Sequence, residues 1–211
     1  MAIPKTKHAN IDIIEAVLLI FFFPIKLSSL LYCISLKIKT LMDLKNYIDS
    51  IEDWPQEGIN FKDISPILAN PEAYSESISG MCNLINHKPE MIAGIDARGF
   101  IFASAIAERL NIGMLLLRKG GKLPPPKIDI QYELEYGLDQ LEIKEAQTKG
   151  TEIILIDDIL ATGGTMSAAC DLCIKAGYTV KQALVFIDLV NIHEEITLSN
   201  GIKVESLIQL D

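Results

Sequence analysis

The sequence predicts an α/β protein, a central mostly parallel sheet flanked by helices, and three observations carry that expectation. Short apolar runs of strand length (Met91 to Ile95, Gly113 to Leu117, Ile153 to Ile156, Ala183 to Ile187) alternate with longer stretches of helical period such as Phe100 to Leu110 and Met166 to Lys175. The runs are continuously apolar, as in strands covered on both faces. Each run is followed by polar residues: Asp96-Ala97-Arg98-Gly99, Arg118-Lys119, Asp157-Asp158 and Asp188. Ligands of open α/β sheets bind beyond the carboxyl ends of the strands, so these four clusters are expected to converge on one crevice.

Composition narrows the class. With 211 residues, 49% of them apolar, the chain is long enough to bury one sizeable core. A net charge of -9 argues against a broad basic surface, so no nucleic-acid partner is expected and any phosphate binding must be local. Cys33, Cys82, Cys170 and Cys173 form no regular framework, which fits a reducing compartment and a cytoplasmic protein. Cys170 and Cys173 make a C-x-x-C, but they share a helical face with Met166, Ala169 and Ile174, and no second pair completes a tetrahedral zinc set. They are read as buried packing.

The first 41 residues differ in character from the rest. An apolar stretch from Ile13 to Ile25 is interrupted by Glu15 and Pro24, and its uncharged part, from Ala16, falls short of the roughly 20 residues a spanning helix needs. Lys5 and Lys7 precede it as in a leader, yet no A-x-A cleavage site follows. No stable membrane partner is expected. Five lysines against two acids give this segment +3 and leave -12 for the remainder. Residues 1–41 are therefore read as an extension outside the functional fold, either a mistranslated upstream stretch or a weakly membrane-associating tail. Residues 42–211 are read as the functional domain, with Met42 its expected start and an acidic, apolar-periodic helix expected just after it.

The most specific segment is IILIDDILATGGT, residues 153–165. A buried strand delivers two adjacent carboxylates, and Ala161-Thr162-Gly163-Gly164-Thr165 leads into a helix. Glycines let the backbone close around an anion, and free N–H groups with the helix dipole favour negative charge there. The loop is expected to hold a phosphate monoester. No lysine follows Gly164, so it is not a Walker A loop. Asp157 and Asp158 would repel a phosphate and are assigned to a sugar, accepting its hydroxyl hydrogens and facing a ring that turns cationic as its anomeric leaving group departs.

An acidic pair followed by ATGGT after a strand resembles the phosphoribosyl pyrophosphate motif of type I phosphoribosyltransferases. The resemblance runs from about Met42 to Asp211, and GINFKDISPIL (58–68), AGIDARGFIFA (93–103), RKGGKLP (118–124) and YELEYGLDQLEI (132–143) favour the adenine-specific branch. It implies a small N-terminal hood on the α/β fold and transfer of a 5-phosphoribosyl group to adenine, giving AMP and pyrophosphate. It implies that Arg98, with the backbone of Asp96 to Arg98, holds the pyrophosphate, and that Arg118, Lys119 and Lys122 add cationic contacts. It further implies Mg2+ carried mainly by substrate oxygens and water, with no dedicated protein ligands, and a homodimer.

The Gly- and Pro-rich stretch from Lys119 to Tyr136 suits a mobile lid, and the resemblance places Glu135 and Tyr136 in its catalytic part. Glu135 would exchange a proton with the purine; by its sequence alone it reads equally as an exposed loop glutamate. Asn60, Phe61, Lys62 and Asp188 are the expected adenine contacts, with Phe61 either stacking on the purine or packing in the core. Three positions depart from the family pattern: Lys62 replaces an arginine, Pro125 a glycine and Asp188 a glutamate. Another purine as substrate, a non-catalytic sensor of phosphoribosyl pyrophosphate and a membrane-tethered form are the competing readings.

Overall fold

Element order follows the alternation in the sequence, with a small preface. The computed structural model describes residues 42–134 and 137–211, which form one unit from Asp43 to Asp211. The expectations for residues 1–41, Glu135 and Tyr136 lie outside the described residues. The unit opens on a 3-10 turn, Leu44–Tyr47, and two short antiparallel strands, β1 (Asp49–Ile51) and β2 (Phe61–Asp63), which form the expected hood. The helix expected after Met42 is only that turn. Asp43 caps it by accepting from the Lys45 N–H, but the chain leaves helical geometry at Ile48 and enters β1.

Two helices follow, α1 (Ser65–Ala69) and α2 (Pro71–Leu84). The start of α2 is written locally: the Asn70 side chain accepts from Ala73 N–H, and Pro71 fills the first turn where a missing N–H has no consequence. Then come β3 (Met91–Ile95), α3 (Gly99–Leu110), β4 (Gly113–Lys119), β5 (Ile128–Leu134), β6 (Gly137–Ile143), β7 (Glu152–Leu160), α4 (Gly164–Lys175), β8 (Thr179–Leu189) and β9 (Val204–Leu210). Seven strands make one sheet, in the order β5-β6-β4-β3-β7-β8-β9. Five of them run parallel, whereas β6 is antiparallel to β4 and β5 to β6.

Alternation along the strands feeds two cores. Ala93, Leu155 and Val185 pack with Met166, Ala169, Cys170 and Cys173 of α4. On the other side, under α2 and α3, Phe186 stacks on Phe102 with centroids 5.0 Å apart, both fully buried. The C-x-x-C is thus packing, as expected, and Cys82, Cys170 and Cys173 are unpaired. Ile174 departs from the expected face and is 45% exposed, because the buried arc of α4 turns instead toward Ala168 and Leu172.

The strands also outrun their apolar cores. Asp157, Asp158 and Asp188 lie inside β7 and β8, held there by the β7–β8 ladder, which continues through Leu160 and Asp188. Half of the expected lid is likewise strand: Ile128, Ile130 and Tyr132 alternate with Asp129, Gln131 and Glu133, and the three apolar members pack against the core. The irregular part is residues 120–127.

One overhang positions the site. The β3–β7 pairing stops at Gly94 with Ile156, whereas β7 continues four residues further alongside β8. From Asp157 onward the β3 side of β7 is open, and α3 begins across that notch. Gly99 opens α3 so close to β7 that an added Cβ would stand 2.8 Å from Asp157 Oδ1 and 2.9 Å from the Ile156 carbonyl. Gly99→Ala is therefore expected to lower stability by about 1–3 kcal/mol, as overpacking does, measured as an earlier urea midpoint. An unchanged midpoint would contradict this packing.

Candidate active site

At the end of β7 the chain turns through Ala161-Thr162-Gly163 into α4. Gly163 has φ +80, and a Cβ there would run into the Ile196 side chain, so both conformation and space call for glycine. No side chain caps α4, which leaves its first N–H groups facing the turn. This is a helix N-terminus prepared for an anion.

The turn forms one wall of a cavity of about 440 Å³, also lined by Asp96, Ala97, Arg98, Lys119, Asp157 and Asp158. All five expected phosphate-loop residues, Ala161, Thr162, Gly163, Gly164 and Thr165, line it together with the acidic pair. The Arg98 Nε stands 2.7 Å from Asp158 Oδ2. Burial drives the Asp157 carboxyl well above the usual aspartate range and the adjacent Asp158 charge drives it further, while the Asp158 N–H donates to Asp157 Oδ1 at 2.9 Å. Asp158 is also raised by burial, with Arg98 opposing. The two carboxyls therefore share their charge and titrate as a pair.

The expected pyrophosphate residues divide. Arg98 and Lys119 line the cavity, whereas Arg118 and Lys122 reach its rim through Asp96, donating to Asp96 Oδ2 at 2.9 and 3.4 Å. Burial raises the Asp96 carboxyl, but these two donors and the Lys119 N–H outweigh it and hold it below its ordinary value. Lys119 is bound by Asp139 and by the Tyr132 hydroxyl, the latter at 2.7 Å. Burial alone would lower the Lys119 ammonium, yet these partners raise it. Sequence reasoning missed Asp139 and Tyr132. Their signal lay in strand pairing, because the β5–β6 ladder sets the two residues opposite each other in register.

A second cavity, of about 570 Å³, lies between the hood and the sheet and shares Arg98, Ile159, Ala161 and Thr162 with the first. Asn60, Phe61 and Lys62 line it together with Leu189, Ile192 and Asp211. Trp54 packs edge-on against Phe61 with centroids 4.6 Å apart, and the Arg98 guanidinium lies 5.2 Å from the Phe61 ring centre. Lys62 is buried and donates to Ser50 Oγ at 2.9 Å, its cross-strand neighbour.

Asp188 is not brought to this cavity with the other three expected base contacts. Successive residues of a strand point to opposite faces, and since Leu189 lines this cavity, Asp188 faces away. It lines a separate cavity and meets His193 Nε2 at 2.9 Å. No group of three or more His, Cys, Asp or Glu placed to hold a metal occurs among the described residues.

A family profile, "Phosphoribosyl transferase domain", matches residues 60–195. The adenine phosphoribosyltransferase of Prochlorococcus marinus (strain NATL1A) is 45% identical over 168 residues, 79% of this chain and 98% of that protein. The crystal structure of adenine phosphoribosyltransferase from Thermoanaerobacter pseudethanolicus aligns with a TM-score of 0.74 at 36% identity, covering 81% of this chain and 100% of that one. The enzyme from Saccharomyces cerevisiae, solved with adenine and an imino-altritol bisphosphate, aligns with a TM-score of 0.71 at 30% identity over 79% and 97% of the two chains. A glycine turn and acidic pair inside the matched domain, and relatives aligned along nearly their whole length, lead to one conclusion: the chain belongs to the phosphoribosyl transferase domain family, among the adenine phosphoribosyltransferases.

Proposed function

We propose that this transferase joins adenine to the ribose of 5-phosphoribosyl pyrophosphate, forming AMP and releasing pyrophosphate in purine salvage. The observation that carries the reading is the pair of cavities with shared walls. One offers an anion turn and two carboxylates, the other an aromatic ring and apolar walls, and Arg98 stands between them. A nucleotide spans such a pair with its anomeric carbon at the shared wall.

In this reading the 5′-phosphate sits in the turn of residues 161–165, and the ribose hydroxyls donate to Asp157 and Asp158. Arg98 and Lys119 face the diphosphate, with Arg118 and Lys122 behind Asp96. As the C1′–O bond breaks, the electron pair leaves with pyrophosphate and the ring becomes cationic; fixed negative charge beside it lowers that barrier. Adenine N9 bonds to C1′ and loses its ring proton, a step assigned to Glu135 with Tyr136 beside it. Two adjacent carboxylates, Asp157 and Asp158, would suit a hydrated, oxygen-seeking Mg2+ brought in by the substrate, which would supply charge neutralisation for the diphosphate leaving group. Phe61 is the stacking platform for the base, and Asn60 and Lys62 border it. A homodimer and a cytoplasmic location complete the reading, the latter supported by three unpaired cysteines among the described residues.

Supplied separately with adenine, hypoxanthine, xanthine and guanine, plus 5-phosphoribosyl pyrophosphate and Mg2+, the protein is expected to release pyrophosphate with adenine in strong preference. Equal or greater release with an oxopurine would overturn the base assignment. The acidic pair yields a second expectation. The folded-state pKa of Asp157 lies above its ordinary value of 3.8, so the stability it confers is present below that value and lost as pH rises through the folded one. At neutral pH the charged pair is a burden on folding. Asp157→Asn should therefore raise Tm at neutral pH, lose that gain toward pH 3.8, and cut turnover by about 100-fold or more. A Tm that falls at neutral pH, or turnover that holds, would contradict the assignment.

A further inference from the structure

Residues 120–127 connect the cation-bearing end of β4 to β5, and their backbone polar groups are taken up by two side chains at the end of β6. Glu142 is 1% exposed, and its Oε1 accepts from the Gly121 N–H at 2.7 Å while its Oε2 accepts from the Leu123 N–H at 3.0 Å. Lys127 bonds the same carboxylate. Lys144 takes the opposite polarity, donating to the Pro124 carbonyl at 2.5 Å and the Pro126 carbonyl at 2.8 Å. Pro124, Pro125 and Pro126 have no N–H to offer, so beyond the Gly120 N–H, which meets the Gln140 carbonyl at 2.9 Å, the backbone donors that tie the loop to β6 are the two that Glu142 holds. Those two donors bracket Lys122, whose ammonium reaches Asp96 on the cavity rim.

We propose that Glu142 is a positioning residue for the diphosphate half of the substrate: by holding the N–H groups on both sides of Lys122, it fixes where that cation stands beside Asp96. The inference rests on the reading that Arg98 and Lys119 face the diphosphate, with Lys122 behind them at Asp96. A buried carboxylate with three donors from one loop is more than a strand needs, because the β4–β6 and β5–β6 ladders pair without it. Lys127 and the two N–H groups hold its pKa down at about 2, so the clamp stays charged at any pH of assay. Gln in its place keeps the shape but presents an NH2 to one of the two N–H groups, breaking one arm of the bracket. Asp keeps the charge but is too short to reach both.

The test compares two ligands on the full chain by calorimetry, pyrophosphate with Mg2+ and AMP, since AMP fills the phosphate turn and base cavity but lacks the diphosphate. Glu142→Gln is expected to weaken pyrophosphate about tenfold, the loss of roughly one charge-assisted hydrogen bond, while AMP affinity stays within about twofold. KM for 5-phosphoribosyl pyrophosphate should rise in step while kcat and KM for adenine hold. In a Lys122→Ala background the same change should add less than about twofold, since the two residues act as one unit. Glu142→Asp should reproduce the selective loss and serves if the glutamine variant does not fold. Equal weakening of both ligands, unchanged pyrophosphate affinity or full additivity with Lys122→Ala would overturn the role of Glu142. Failure of the unaltered protein to bind pyrophosphate would instead overturn the reading beneath it.

Discussion

Two like charges on consecutive residues of a buried strand are the constraint around which this molecule is arranged. Asp157 and Asp158 sit where β7 has outrun β3, so they are withdrawn from water yet still open to a ligand. Burial pushes both carboxyls toward their neutral forms, the Asp158 charge pushes Asp157 further, and Arg98 opposes this from 2.7 Å at Asp158. Such an arrangement destabilises the empty protein. It becomes favourable when a ring that gains positive charge, or a cation carried by the substrate, comes to face it. Stability given up in this way marks a site rather than a scaffold.

Cations on the opposite wall are also held by partners rather than left free. Arg118 and Lys122 converge on Asp96, and Lys119 is bound by Asp139 and Tyr132. Partners of this kind fix each head group before a ligand arrives, which limits the side-chain entropy that binding would otherwise have to overcome. Arg98 differs from the others in serving two cavities at once, paired with a carboxylate on one side and lying over the Phe61 ring on the other. The two cavities thereby share one charge.

Much of this was legible in the sequence, for a physical reason. Apolar runs betray buried strands, and glycines beside a helix start betray an anion turn, because both depend on neighbours in the chain. The β7–turn–α4 unit, the loop residues 161–165 and Arg98 were found in that way. What escaped depends on pairing between distant segments. Apolarity ended at Ile156, but ladder bonds to β8 carry β7 on to Leu160. Lys119 to Tyr136 reads as loop by its Gly and Pro content, yet half of it is a strand whose partner lies beyond it in the sequence. Asp188 was placed by its position after an apolar run, while the face it occupies is set by the register of β8. The roles given to Glu135 and Tyr136 rest on family resemblance.

Under the proposed function, the turn after β7 grips the 5′-phosphate of a ribose whose hydroxyls face the acidic pair. Calorimetric titration of AMP and of 5-phosphoribosyl pyrophosphate into the folded protein, and into Gly163→Ala shown to be folded, tests it most directly. Saturable uptake of both ligands by the unaltered protein, and its loss in the variant where a methyl group meets Ile196, is the predicted result. No uptake by the unaltered protein, or equal uptake by the folded variant, would contradict the account.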